Sequence, residues 1–147
     1  MWAYHDDPEL SSKVNEAVQA IDRSASARAQ LFGEDCVYAD GHSTFSVMET
    51  DFYIQLHAKD EVTEEQLGSW MKEGLELVIA LSEDEVQGRK GFVEFSFDRN
   101  ETEQTIIRVP IQDYLNSCKE LSGAGLFKQF YTPSPLSATP LPVTPTP

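Results

Sequence analysis

Apolar residues recur in this chain at two spacings that alternate along its length, and that alternation restricts the fold more than any single motif does. Leu10, Val14, Ala17, Val18, Ile21, Ala25 and Leu31 follow one another mainly in steps of three and four, the repeat of one helix face. Asp7-Pro8 supplies a start, because an Asp side chain accepts from the free N–H groups of a first turn and Pro has no N–H to lose there. Lys13, Glu16, Asp22, Arg23 and Arg28 fill the opposite, wetted face. A helix is therefore expected from Asp7 to near Gly33.

The period then falls to two. Val37 alternates with Ala39, Phe45 with Val47, and Phe52 with Ile54 and Leu56. Asp40-Gly41 is a hairpin-turn pair, and a second reversal is expected near Glu49-Thr50-Asp51, giving three short antiparallel strands. Thr63-Glu64-Glu65-Gln66 is a capping box, with Val62 and Leu67 at the spacing of a hydrophobic staple. Leu67, Trp70, Met71, Leu75, Val78 and Leu81 continue it as an apolar stripe. Gly68 and Gly74 weaken such a helix by about 1 kcal/mol each, so packing must compensate, and Gly74 can mark close approach of a neighbour.

Alternation returns at Val93, Phe95 and Phe97, with Ile107, Val109 and Ile111 as the partner strand and Asp98 to Gln104 as the connecting loop. Pro110 lacks a donor and belongs on an edge strand or at a strand exit. A last helix is expected from Ile111 to Leu121, with Tyr114, Leu115, Cys118 and Leu121 on one side and Gly123 as its stop. The order α-β-β-β-α-β-β-α predicts an α+β domain over residues 1–131: an antiparallel sheet of about five strands with helices packed on one face. Small acidic secretion chaperones and several bacterial toxin-immunity proteins share this order and size, a likeness of architecture that carries no sequence motif.

Residues 132–147 read TPSPLSATPLPVTPTP, a Pro-rich tail or linker holding six of the eight prolines and no charge. Such a composition favours polyproline II over a packed core. Pro142 and Pro145 form a PxxP, but without a flanking Arg or Lys, and the repeated Thr-Pro pairs could accept proline-directed phosphorylation or sugar. Phe127, Phe130 and Tyr131 are expected to anchor the root of this segment.

Twenty-five acidic against 11 basic side chains give a formal charge of −14. That field repels phosphate backbones and anionic membranes and favours a protein partner with a basic surface, so neither direct nucleic-acid binding nor membrane association is expected. No basic, apolar leader opens the chain and no apolar run reaches spanning length, which predicts a cytoplasmic protein with reduced thiols. Cys36 and Cys118 lie far apart, with neither CxxC nor a His-rich flank, which excludes the usual zinc and thioredoxin spacings.

Catalytic chemistry has few candidates. Cys36 with His42 or His57, oriented by Asp40 or Asp60, supplies the residue types of a thiol hydrolase or transferase. The simpler account is that Cys36 borders an apolar strand, Cys118 lies on a helix's apolar face, and His42 is a polar turn residue. Asp98, Asn100 and Thr102 imitate half of a calcium loop without its glycine or its final glutamate, and Asn100-Glu-Thr102 is a sequon with no secretion signal. A phosphate loop, GxSxG and HExxH do not occur, and no cofactor or metal site is expected. The sequence favours a non-enzymatic acidic protein-binding module (adaptor, chaperone-like or immunity-type) over a Cys36 enzyme. Its expected docking surface is the polar sheet face with Tyr53, Gln55, His57, Phe92, Glu94 and Arg108; a homodimer is permitted but specified by no residue.

Overall fold

The structure is a computed structural model in which residues 1–59 and 61–132 are described. The Pro-rich segment read from the sequence, beyond Thr132, lies outside the described residues, as does Asp60. Five strands form one sheet in sequential order, accompanied by helices: β1 (Trp2–Asp6), α1 (Pro8–Gln19), β2 (Ser26–Val37), β3 (Ser43–His57), α2 (Glu64–Ile79), β4 (Arg89–Asp98) and β5 (Gln104–Pro110). After β5 come α3 (Ile111–Asp113), which runs on as the π-helical turn Tyr114–Cys118, and α4 (Gly123–Phe130). The class is α+β, but the expected all-antiparallel sheet and its element order both need correction.

The sheet is mixed. β1, β2 and β3 pair antiparallel, as do β4 and β5, whereas β3 and β4 run parallel. The reason is the connection: β3 and β4 are joined through α2, and a helical crossover returns the chain to the same end of the sheet, where a hairpin would reverse it. The order also changes, to β-α-β-β-α-β-β followed by helices.

The altered order comes from a strand at Trp2–Asp6 ahead of α1 and from two expected strands forming the single β3, and the first helix is also shorter than expected. The first helix stops at Gln19 rather than near Gly33, and Ala25 and Leu31 belong to the strand region instead of the helix face. Ala25, Ala29, Leu31 and Gly33 are buried at odd positions with Ala27 half-buried between them, a period-two series that the alanines disguise. The Asp22–Ser24 side-chain hydrogen bond and the Ala25 N–H to Asp22 O bond close the turn between α1 and β2.

The reversal expected at Glu49-Thr50-Asp51 is a bulge within one long strand. Phe32 pairs with Glu49 and Gly33 with Val47, so Met48 is the extra residue. One inserted residue switches which face the following side chains occupy, and in a sequence that break of parity looks like a turn. The hairpin at Asp40-Gly41 does form, with Gly41 at φ 93° and Val37 paired with Ser43.

Both helix starts read from sequence are present. Asp7 accepts from Leu10 N at 3.2 Å with Pro8 in the first turn, and Thr63 Oγ1 accepts from Gln66 N at 3.2 Å. Leu10, Val14 and Val18 of α1 and Leu67, Met71, Leu75 and Val78 of α2 meet Phe52, Ile54, Leu56, Val93, Phe95, Phe97, Ile107 and Val109 in a single core. Gly74 lets Phe95 and Ile54 press on α2, and a Cβ there would lie 2.8 Å from the Phe95 ring. Gly68 serves the same purpose more tightly: its missing Cβ would fall on the backbone of Gly123, where α4 crosses α2.

Gly123 does not only end a helix. At φ 53° it turns the chain into α4, whose Ala124 N–H donates to Glu65 Oε1 at 3.0 Å. Phe127 of α4 is buried and Tyr131 stacks on it at 5.1 Å. All these apolar contacts fall on one side of the sheet, and no described helix covers the other face.

Candidate functional site

Side chains on the uncovered face stand in rows, because residues paired across neighbouring strands point the same way. One row runs Arg28, Tyr53, Glu94, Arg108 from β2 to β5. The next holds Ser26, Gln55, Ser96 and Ile106, and the last His57, Asp98 and Gln104. The expected surface residues Tyr53, Gln55, His57, Phe92, Glu94 and Arg108 thus lie on one face, and Tyr53, Glu94 and Arg108 are direct neighbours.

Aromatic and cationic groups interleave along the first row and at Phe92 beside it. The Arg28 guanidinium lies 4.2 Å from the Tyr53 ring centre and that of Arg108 3.9 Å from Phe92, while the Tyr53 and Phe92 rings meet edge to face at 5.7 Å. Each cation–π contact at a partly exposed site contributes about 0.5–1 kcal/mol and, more usefully here, holds a long side chain in place. Arg108 also donates to Glu94 Oε1 from Nη2 at 2.8 Å and from Nε at 3.2 Å. Burial works against the Arg108 charge, but the Glu94 carboxylate outweighs it and raises the guanidinium's pKa.

Asp51 lies beneath this row and was not singled out from the sequence. Although it is on the helix-free face, it is 1 % exposed. Thr50 pairs with Lys90 but Phe52 with Val93, so β4 carries an extra residue opposite Asp51. The slip frees the Phe92 N–H, which donates to Asp51 Oδ1 at 3.2 Å. Gly91 is required here, since a Cβ would overlap Asp51 Oδ1 and the Glu49 carboxylate. Burial, with the Glu49 carboxylate beside it, pushes the Asp51 carboxyl up to about 7. Glu49 is in turn bound by Arg89, at 3.0 Å. Burial first, and then the charge of Asp51, raises the Tyr53 hydroxyl, which donates to Gln30 Oε1 at 3.3 Å.

Towards β1 the face becomes apolar. Trp2 stacks on Phe32 at 5.3 Å and Tyr4 leans on it at 4.9 Å, with Trp2 and Tyr4 both exposed. Their period-two spacing at the very start of the chain is the sequence signal of β1, a strand that was not expected. At the opposite corner a groove of about 850 Å³ is lined by Gln55, His57, Trp70, Asp98 and Gln104 among others. Asp98 is the hub there: it accepts from Gln104 Nε2 at 2.8 Å and Gln55 Nε2 at 2.5 Å, with His57 Nδ1 at 3.5 Å.

Of the residues of the thiol reading, Cys36, Asp40 and His42 belong to one end of the β2–β3 hairpin, whereas His57 lies at the far end of β3. Cys36 pairs with Thr44, and the strand from Thr44 to His57 is roughly 40 Å long at about 3.3 Å per residue. His42 stacks on Tyr38 at 4.4 Å and binds Asp40 in the turn. Among the described residues Cys36 has no hydrogen bond to either imidazole, and Cys118 is buried against the helices. The calcium-like stretch is a hairpin loop whose Asn100 Oδ1 accepts from Thr102 N at 2.8 Å and Glu103 N at 2.9 Å. Among the described residues there is no cluster of three or more His, Cys, Asp or Glu able to hold a metal, and no helix is long and apolar enough to cross a membrane.

Comparison with protein-family models, with curated proteins and with solved structures finds no match for this chain.

Proposed function

We propose that this chain is a non-enzymatic protein-binding module, of an adaptor, chaperone-like or immunity type, that docks a partner protein on the helix-free face of its sheet. The observation that carries this reading is the interleaved cluster of Arg28, Tyr53, Phe92 and Arg108, partly exposed at the middle of that face. Arg, Tyr and Trp are the side chains that most often dominate binding energy, because they bring large contact area with few rotatable bonds or a rigid fork of donors. Here they are already fixed by one another and by Glu94, so little conformational entropy is lost when a partner covers them. Trp2, Tyr4 and Phe32 extend the same face with apolar area.

The charge of −14 sets the partner's character. A protein with a basic surface is drawn in by the long-range field, and the aromatic–arginine row supplies the short-range contact. Affinity capture from the native host at low salt, with the wild-type chain beside the double variant Tyr53→Ala/Phe92→Ala, tests this. Recovery of a protein by the wild type that the double variant loses, with release on raising salt, is expected. Failure of the wild-type chain to retain any protein at low salt would overturn the proposal.

A further inference from the structure

We propose that the shallow pocket beside Arg28 receives a carboxylate side chain, Asp or Glu, presented by the docked partner protein. The inference rests on the docking reading above and names its central contact. The pocket has a volume of about 220 Å³ and is lined by Ser26, Arg28, Tyr53, Gln55, Glu94 and Ser96 among others. That space suits one short polar side chain rather than a drug-sized ligand.

Charge in the pocket is uneven. Glu94 is engaged by Arg108 through two hydrogen bonds to one oxygen. Arg28 has neither a carboxylate nor a carbonyl partner among the described residues, and its only contact of this kind is the Tyr53 ring, 4.2 Å below the guanidinium. The other cations of the face differ: Arg89 is held by Glu49 and Arg108 by Glu94. Arg28 is exposed and its N–H donors have no carboxylate or carbonyl partner among the described residues, and a guanidinium in that state can accept a carboxylate fork to fork.

Hydroxyls complete the donor set. Ser26 lies two positions along β2 from Arg28 on the same face, and Ser96 pairs with Gln55 in the adjoining row. Ser96 Oγ accepts from Gln104 Nε2 at 2.7 Å, which leaves its own proton to donate. One uncompensated guanidinium with two hydroxyls matches a monoanion. A doubly charged phosphate would need a second free cation, against the field of a chain at −14.

The test is a ¹H–¹⁵N NMR titration of the full chain with the blocked tripeptide acetyl-Ala-Glu-Ala-amide. Acetyl-Ala-Gln-Ala-amide and inorganic phosphate serve as parallel probes. Saturable shifts of the Arg28 Nε–H and of the Ser26 and Ser96 amides with the Glu peptide, at least about tenfold weaker with the Gln peptide and with phosphate, are expected. R28Q should abolish the Ser26 and Ser96 amide shifts, while R28K, which keeps the charge but loses the fork, should retain a weaker response at those two amides. No shift with the Glu peptide, equal shifts with the Gln peptide, or tighter binding of phosphate would each overturn the inference.

Capture of the partner separates this proposal from the one it rests on. If wild type and R28Q retain the same protein equally well, the docking reading stands and the carboxylate pocket fails. If wild type retains nothing, the docking reading fails, whatever the peptide does. R28Q is expected to melt within a few degrees of wild type, since Arg28 is exposed and makes no ion pair with another described residue.

Discussion

The two faces of this sheet are built from alternate residues of the same strands, yet they are held by different forces. On one side Phe52, Ile54, Leu56, Val93, Phe95 and Phe97 are buried under α1, α2 and the C-terminal helices. On the other, Asp51, Tyr53, Gln55, Phe92 and Glu94 meet one another and Arg28, Arg108 and Asp98, through ring contacts, ion pairs and one buried carboxyl. The first face is stabilised by removal of apolar area from water, which is large and non-directional. The second is stabilised by contacts of about 1 kcal/mol or less each, and its side chains stay partly wet. The same backbone therefore carries one face held by apolar burial and one held by polar and aromatic contacts.

Cavity formation on the helix face is the strongest way to break this contrast. Phe95 is fully buried, touches Gly74 of α2 and stacks at 6.1 Å on Phe97. Phe95→Ala should cost about 3–5 kcal/mol in urea unfolding, and a loss below ~1 kcal/mol would mean that the helices do not cover this face as described.

The buried carboxyl gives the second largest effect, and its sign is unusual for an Asp. Folding lifts Asp51 from 3.8 to about 7, so the folded chain binds this proton more tightly than the unfolded chain. The resulting stability is fully present below about pH 4 and is lost as the pH rises through about 7, amounting to a few kcal/mol at most. Unfolding free energies measured between pH 4 and 8 should show this fall superimposed on the other titrations, and Asp51→Asn should remove it. An unchanged slope in the variant would assign the pH dependence elsewhere.

On the open face, Tyr53→Ala should lower stability by only about 1 kcal/mol while weakening partner binding at least about tenfold. Thermal melts and capture, measured on one preparation, check both halves. Smallest of all, Arg108→Ala breaks a partly exposed pair with Glu94 and the contact over Phe92 and should shift stability by about 0.5–1 kcal/mol. If Arg108→Ala proved as costly as Phe95→Ala, the distinction between the faces would not hold.

Much of the local structure was legible in the residues themselves. The Asp7-Pro8 and Thr63–Gln66 helix starts, the Asp40-Gly41 turn, the β4–β5 hairpin and Pro110 at the exit of an edge strand all follow from short-range chemistry. So does the membership of the open face, because period two sorts Tyr53, Gln55 and His57 from Phe52, Ile54 and Leu56. Where alternation was blurred, the reading failed. Alanines at positions 25, 27 and 29 fit either period, and Met48 shifts the parity of β3 by one residue and so resembles a turn.

What the sequence alone determined is therefore the list of elements with strong caps or clean periods, the division of strand residues into two faces, and the acidic field. Tertiary structure decided the rest. The parallel pairing of β3 with β4 depends on where the α2 crossover delivers the chain, and the burial of Asp51 depends on a register slip opposite Gly91 and Phe92. The pairing of Glu94 with Arg108 depends on the register of β4 against β5. Each is a relation between residues distant in sequence, fixed by which neighbours the packed sheet supplies, and local propensity carries no record of it.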